Sequence, residues 1–418
     1  MVTHAPMSTL TPRPVSERLL IVLLTAVNFT QMMDFVVMMP LGPQLMKVFS
    51  ITASQFAVAV SAYTISAAVA AVAGALFIDR FERKRTLLVL YAGFTIATVA
   101  CAVAPDFHAL VLARVAAGAC GGLVGALILA MVGDAVPYER RGAAMGTVMS
   151  AFALASILGV PAGIWLAAGL GWHAAFYAIA VLSTVILLLC WARLPTMRAH
   201  LAGGRRPAGE LIIALLREPA HWRVFAFTAA LTFSGFMIIP FIATYLSLNV
   251  GISDGHLGLV YLCGGLCAVV TSPWIGRLAD RHGKHRVFIT VALLAMLPTL
   301  LLTHLPRLPL AEVLLVTTAF IVVGSGRFVP ATALITSAVA TPLRGSFMSL
   351  NTAVQSAASG AAAMFAGLLL HQADAQAPIE GYGTVGWLSC LAAVVGVVLV
   401  RGIHPWANHG TQAGPQVA

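Results

Sequence analysis

The sequence predicts an all-α polytopic membrane protein whose twelve transmembrane helices form two pseudo-symmetric six-helix bundles. Three observations lead there: too little charge for a water-facing surface, twelve apolar runs of membrane-crossing length, and a pattern that repeats after about 200 residues.

Of 418 residues, 60% are apolar and 9% charged, and the mean hydropathy is +0.94. Soluble domains carry roughly 25% charged residues, so this exterior must face lipid, and the bilayer is the first expected partner. The net charge of +10 would elsewhere suggest nucleic acid. Here the basic residues sit in short loops between apolar runs, so no nucleic-acid partner is expected. All six cysteines fall inside apolar segments, and no disulfide framework is indicated. Cys263 and Cys267 are four residues apart with no nearby histidine or carboxylate, which suits packing and not a metal. The twelve histidines show no ligand spacing and no Walker loop occurs, so no cofactor or metal is expected. His108, His173 and His256 read as solvated or interfacial side chains at the outer rim.

A crossing helix needs about twenty apolar residues, because about 30 Å of hydrocarbon is covered at about 1.5 Å per residue. Residues 1–18 form a polar tail, expected to be cytoplasmic. The apolar run after it is too long for a signal-peptide core, so an uncleaved first helix is expected to direct insertion. The first bundle, 19–194, holds spans at 19–41, 53–78, 86–104, 108–132, 142–167 and 174–194. A basic linker, 195–223, contains Gly203-Gly204. The second bundle, 224–403, holds spans at 224–248, 256–278, 286–304, 310–333, 344–371 and 381–403, followed by a tail at 404–418.

Charge orients these spans. With a cytoplasmic N-terminus, twenty of the 24 Lys and Arg lie on the cytoplasmic side. Only Lys47 and Arg307 lie opposite, while Arg114 and Arg327 fall within spans. That is the positive-inside pattern, with both ends of the chain inside.

The halves repeat. Asp79-Arg80-Phe81-Glu82-Arg83-Lys84-Arg85 follows span two, and Asp280-Arg281-His282-Gly283-Lys284-His285-Arg286 follows span eight. Arg141-Gly142-Ala143-Ala144-Met145 opens span five as Arg344-Gly345-Ser346-Phe347-Met348 opens span eleven. Parallel six-helix repeats around a midplane site mark one large transporter architecture.

These residues carry a family resemblance over essentially the whole chain. Gly276-Arg277-Leu278-Ala279-Asp280-Arg281-His282-Gly283-Lys284 resembles the loop signature of the major facilitator superfamily, G-x-L-A-D-R-x-G-[RK]. The first-half copy departs from it, with Ala75 at the opening Gly and Glu82 at the second. Leu110 through Arg114 to Gly118 is similar to the fourth-helix signature L-x-x-x-R-x-x-x-G. Gly159-Val160-Pro161-Ala162-Gly163 resembles the fifth-helix antiporter signature, and Gly326 through Met348 resembles the same branch. That branch is the twelve-helix drug:proton antiporters, including arabinose-efflux-like and purine-nucleoside exporters. It usually has Arg where this chain has His173.

Ionisable residues inside a membrane are functional candidates by default. Asp34 is the one acidic residue deep within a span, and Arg114 lies at similar depth in span four. An ion pair would lower the cost of burying either. Desolvation disfavours a lone carboxylate and a guanidinium favours one, so rearrangement between states could exchange Asp34's partner for a proton. A static pair fixing helices one and four is the alternative. In the resembling antiporters, an acid in helix one and the fourth-helix Arg serve proton coupling and substrate binding.

Asn28 and Gln31 share helix one with Asp34, and Asn351 and Gln355 are spaced i, i+4 on helix eleven. All four are candidate substrate contacts, with interhelical hydrogen bonding as the alternative. Arg327 serves an inner gate or snorkels to the interface. Asp79, Arg80, Asp280 and Arg281 stand at inner helix ends, where carboxylates can cap neighbouring helices or pair with Arg141 and Arg344. With Gly276, Gly283 and Asp134 they form a candidate cytoplasmic latch, the conformational role that the resemblance gives this motif. Gly159, Pro161 and Gly163 suit close packing and a bend. The resemblance assigns that segment to a seal between helices five and eleven.

The expectation is thus a monomeric inner-membrane exporter exchanging protons for a small molecule by alternating access. Proton-coupled or facilitated uptake is the alternative in the same class. An enzyme is not expected, since one buried acid and one buried Arg supply no nucleophile–base or metal constellation. A non-transporting receptor would need a sizeable soluble domain.

Overall fold

The computed structural model describes residues 17–137, 140–198, 213, 215–340 and 343–406. The N-terminal tail, much of the expected linker and the end of the C-terminal tail lie outside these residues. Twelve helices are long and apolar enough to cross a membrane. In the first half they are α1 (Glu17–Val37), α2 (Ala53–Gly74), α3 (Arg83–Ala102), α4 (Phe107–Ala135), α5 (Arg141–Leu170) and α6 (His173–Arg193). In the second they are α7 (Pro219–Val250), α8 (Asp254–His282), α9 (Lys284–Thr303), α10 (Leu310–Ser337), α11 (Arg344–Leu369) and α12 (Tyr382–Val400). Among the described residues the only β pairing is an isolated bridge between His371 and Glu380.

Local chemistry sets the boundaries. Helix α1 stops at Val37, short of the expected 41, because Pro40 and Pro43 interrupt it. A separate short helix, Gly42–Phe49, follows with Pro near its start and Ser50 left-handed at its end. Helix α2 then opens on a capping box: Thr52 Oγ1 accepts from the Gln55 amide, and Gln55 Oε1 accepts from the Thr52 amide. Asp106 caps α4, accepting from the Ala109 amide at 2.8 Å. Helix α7 begins at Pro219, earlier than the expected 224, since Pro suits the first helical turn.

The hydrophobic core divides by depth. One cluster crosses between the halves, joining Met33, Phe56, Ile164 and Phe176 to Phe241, Leu257, Ala362 and Tyr382. A second, with Leu24, Tyr91, Leu127 and Cys190, stays within the first half. A third, with Phe225, Phe288, Leu334 and Phe347, stays within the second. The crossing cluster lies at the end bearing the short helix Gly42–Phe49. The separate clusters lie at the end rich in Arg and Lys.

Two seams join the halves, α2 against α11 and α5 against α8. Glycines bring them close. A Cβ on Gly360 would lie 2.6 Å from Thr64 Oγ1, and one on Gly258 would lie 2.6 Å from Trp165 Nε1. Gln44 donates to Asp254 at 3.3 Å, and Gln372 accepts from the Ala53 amide at 2.7 Å, at the same end. Among the described residues, the contacts between halves thus gather at the sparsely charged end, while the buried clusters at the basic end each stay within one half.

Candidate functional site

Helix α1 is the hub of the first half, and each residue of its polar face reaches a partner on a neighbouring helix. Asn28 Nδ2 donates to the Val148 carbonyl of α5 at 2.9 Å. Thr30 and Tyr91 share a hydroxyl hydrogen bond of 2.7 Å with α3. Gln31 Nε2 donates to the Gly121 carbonyl of α4 at 2.6 Å. Asp34 receives Arg114 Nη1 on Oδ2 at 2.7 Å, and Thr98 donates to its Oδ1 at 3.3 Å. Membrane burial leaves no water for unpaired groups, so a polar stripe on such a helix must find partners in its neighbours.

The Asp34–Arg114 pair is buried, at 0% and 1% side-chain exposure. Arg114 also lies over the Tyr63 ring, 4.4 Å from its centroid. Gly118, one turn after Arg114, permits this, because a Cβ there would collide with the Tyr63 carbonyl. Tyr63 stacks on Phe35 at 5.5 Å, and Phe35 on Phe236 of the second half at 5.8 Å. A column thus runs from the ion pair across the interface between halves. Sequence reasoning did not single out Tyr63, Thr98, Phe35 or Phe236. An aromatic in an apolar span reads as core until its neighbours are known. The one signal was Gly118, whose small size at a fixed spacing from Arg114 announces a close approach.

Of the four candidate substrate contacts, three hydrogen-bond to neighbouring helices, Gln31 among them. Asn28 holds α5, and Asn351 Oδ1 accepts from Thr228 of α7 at 2.7 Å. Gln31 keeps Oε1 without a hydrogen-bond partner, and Gln355 is half-buried on α11.

At the basic end, the hydrogen bonds and ion pairs described each stay within one half. Asp134 pairs with Arg83 at 3.0 Å, whereas Arg141 donates to the Val136 carbonyl. Arg80, Asp280, Arg281 and Arg344 are exposed, and the Asp79 side chain lies outside the described residues. Gly283 adopts φ +90°, the left-handed region that its turn demands. Glu82, its first-half equivalent, is extended, so that loop turns without glycine, and Oε1 accepts from the Met197 amide at 3.3 Å. Gly276 faces only ordinary contact, its would-be Cβ lying 3.6 Å from Val329.

Helix α5 differs from the expected contact. Gly159 and Gly163 face Met33 and Val37 of α1, and the segment packs on α8, while α11 packs on α2. A π-helical turn, Ala155–Gly159, precedes Pro161, whose missing amide cannot continue the ladder. Arg327 does not snorkel to the interface. It is 7% exposed, with its guanidinium over Gly235 of α7.

A model of the Major Facilitator Superfamily matches residues 24–235 and again 224–415. Among relatives, the uncharacterized MFS-type transporter YwfA of Bacillus subtilis (strain 168) is 30% identical over 313 residues, 72% of this chain and 73% of its own. The uncharacterized MFS-type transporter YceJ of the same organism is 26% identical over 356 residues, 84% of this chain and 89% of its own. Among solved structures, a D-xylose-proton symporter aligns with a TM-score of 0.74 at 16% identity, over 93% of this chain and 98% of that one.

Proposed function

The chain belongs to the Major Facilitator Superfamily, and from that premise we propose that it exports a small molecule across the inner membrane in exchange for protons. The observation that carries this reading is the buried Asp34–Arg114 pair, 2.7 Å apart on α1 and α4. The chain works as a monomer, with a bundle at 19–194, a cytoplasmic linker from 195 to the start of α7 at Pro219, and a second bundle from there to 403. The basic end faces the cytoplasm, in keeping with the charge asymmetry of the loops, and both termini lie there.

Closure at the opposite end then makes this conformation inward-open. Substrate enters from the cytoplasm, near Gln31 and Gln355. Rocking of the halves opens the α2–α11 and α5–α8 seams and brings Asp79, Arg80, Asp280, Arg281 and Arg344 together as the cytoplasmic latch. A proton reaching Asp34 from outside releases Arg114, and its loss to the cytoplasm restores the pair. Gly159 and Gly163 support coupling, because they hold α5 against Met33 and Val37, on either side of Asp34.

The test is flux by wild type and Asp34→Asn in proteoliposomes under an imposed pH gradient. Flux that follows the gradient in wild type and ignores it in the variant supports coupling through Asp34. Undiminished, gradient-dependent flux in the variant overturns it. Direction is read in cells, where a deletion strain should accumulate the substrate and depletion would favour uptake.

A further inference from the structure

Of the charged side chains deep within spans, Asp34 and Arg114 neutralise one another, and Arg327 of α10 is left over. No ion pair engages it among the described residues, and its Nε has no hydrogen-bond partner. A guanidinium presents five donors and no acceptor, and a lone charge at this depth is unfavourable without a counter-charge. The Phe328 ring, 5.9 Å away, supplies at most a weak cation–π contact.

Its surroundings are polar without being acidic. A cavity of about 10 Å³ beside Arg327 is lined by Thr299 of α9 and by Ser389 and Cys390 of α12. Thr299 donates to the Ala295 carbonyl at 2.7 Å, and Ser389 to the Ser234 carbonyl at 2.6 Å. Both hydroxyl protons face backbone oxygens, so the donors left for a ligand are those of the guanidinium. A space of this size takes about one water-sized atom, such as one oxygen of a carboxylate. The internal repeat sharpens the contrast. Ser234 occupies the place in α7 that Asp34 occupies in α1. The first half carries its own counter-ion at that place, and the second half carries none.

Gly235 leaves α7 without a side chain beside Arg327, and a Cβ there would lie 3.0 Å from Nη2. The next residue, Phe236, stacks on Phe35 at the interface between halves. The α7 contact of Arg327 thus lies one residue from the interface between halves. We propose that Arg327 is an anion-binding residue that receives the carboxylate of a small organic acid, the substrate class of this transporter. This rests on the transport reading above, but the binding step itself needs neither a gradient nor a direction.

The experiment is thermal unfolding of the purified full-length protein in detergent, with benzoate, chloride or inorganic phosphate at equal ionic strength, and with neutral benzamide. Benzoate should raise the wild-type midpoint by about 2–4 °C over chloride, and benzamide should not. Arg327→Met should abolish the response, and Arg327→Lys should keep part of it. Ser389→Asp, which places a carboxylate beside Arg327, should raise the ligand-free midpoint and remove the response. Equal effects of benzoate and benzamide, or a benzoate response that survives Arg327→Met, overturn the proposal. So does a lowered ligand-free midpoint in Ser389→Asp. A response to chloride or phosphate matching that to benzoate assigns the site to an inorganic anion and overturns the organic-acid assignment. Because no flux is measured, failure here is distinct from failure of proton coupling at Asp34.

Discussion

Arg114 Nη1 and Asp34 Oδ2 meet at 2.7 Å between α4 and α1, and Arg114 continues through the same nitrogen toward the Asp34 carbonyl at 3.4 Å. The pair ties the fold and the proposed proton chemistry to the same atoms. Removing one partner leaves the other charged and buried, which costs about 3–5 kcal/mol where it has been measured. Asp34→Leu and Arg114→Met should each destabilise the protein by roughly that amount, read as a lowered unfolding midpoint in detergent. The double variant should regain much of the stability and none of the gradient-dependent flux. A double variant no more stable than either single one would deny the pairing.

Tyr63 separates two contributions. Its hydroxyl has no hydrogen-bond partner, while its ring lies under Arg114. Tyr63→Phe should be nearly neutral or slightly stabilising, since it removes an unsatisfied buried oxygen. Tyr63→Leu loses the face under the cation, worth about 0.5–2 kcal/mol. Comparing the two unfolding midpoints checks this, and equal losses would contradict it.

The seam between α2 and α11 depends on Gly360, where a side chain would meet Thr64 and Ile65. Gly360→Leu should wedge that seam and favour the opposite conformation. Spin labels at positions 80 and 281, on a background lacking the native cysteines, should move closer together in the variant. An unchanged distance distribution would show that this seam does not control the basic end.

Glu82 holds the segment after α6 through the Met197 amide, and the neighbouring Lys84 donates to the Leu194 carbonyl at 2.7 Å. In the second half His285, at the position equivalent to Lys84, bonds the Ile403 carbonyl after α12 at 2.7 Å. Glu82→Gly restores the usual loop residue and removes the acceptor for Met197. Limited trypsin digestion should then cut faster after Arg198, with Lys84→Met adding to the effect. Unchanged cleavage would leave Glu82 no tethering role.

Much of the architecture was legible because it follows from composition and length. Twelve runs, their order and the duplication need no knowledge of neighbours. Boundaries shifted where proline chemistry acted locally, at Pro40 and Pro219. In the candidate site, the polar face of α1 announced that Asn28, Thr30, Gln31 and Asp34 needed partners. Which helix supplied each partner was not written there. Asn28, Gln31, Asn351 and Gln355 looked alike as candidate contacts, and only the structure showed that the first three hydrogen-bond to Val148, Gly121 and Thr228.

By itself the sequence determined that the chain lives in a bilayer, in two related halves, with one acid and two arginines deep within the spans. Those facts rest on the hydrophobic effect and on the cost of burying charge, which act on each segment alone. Tertiary structure decided that Arg114 takes the acid while Arg327 goes without, that α5 seals against α1 and α8, and that the halves meet at one end. Such outcomes depend on distances between helices far apart in the chain. Glycines at 118, 258 and 360 set those distances, and nothing local to each helix records what lies across from it.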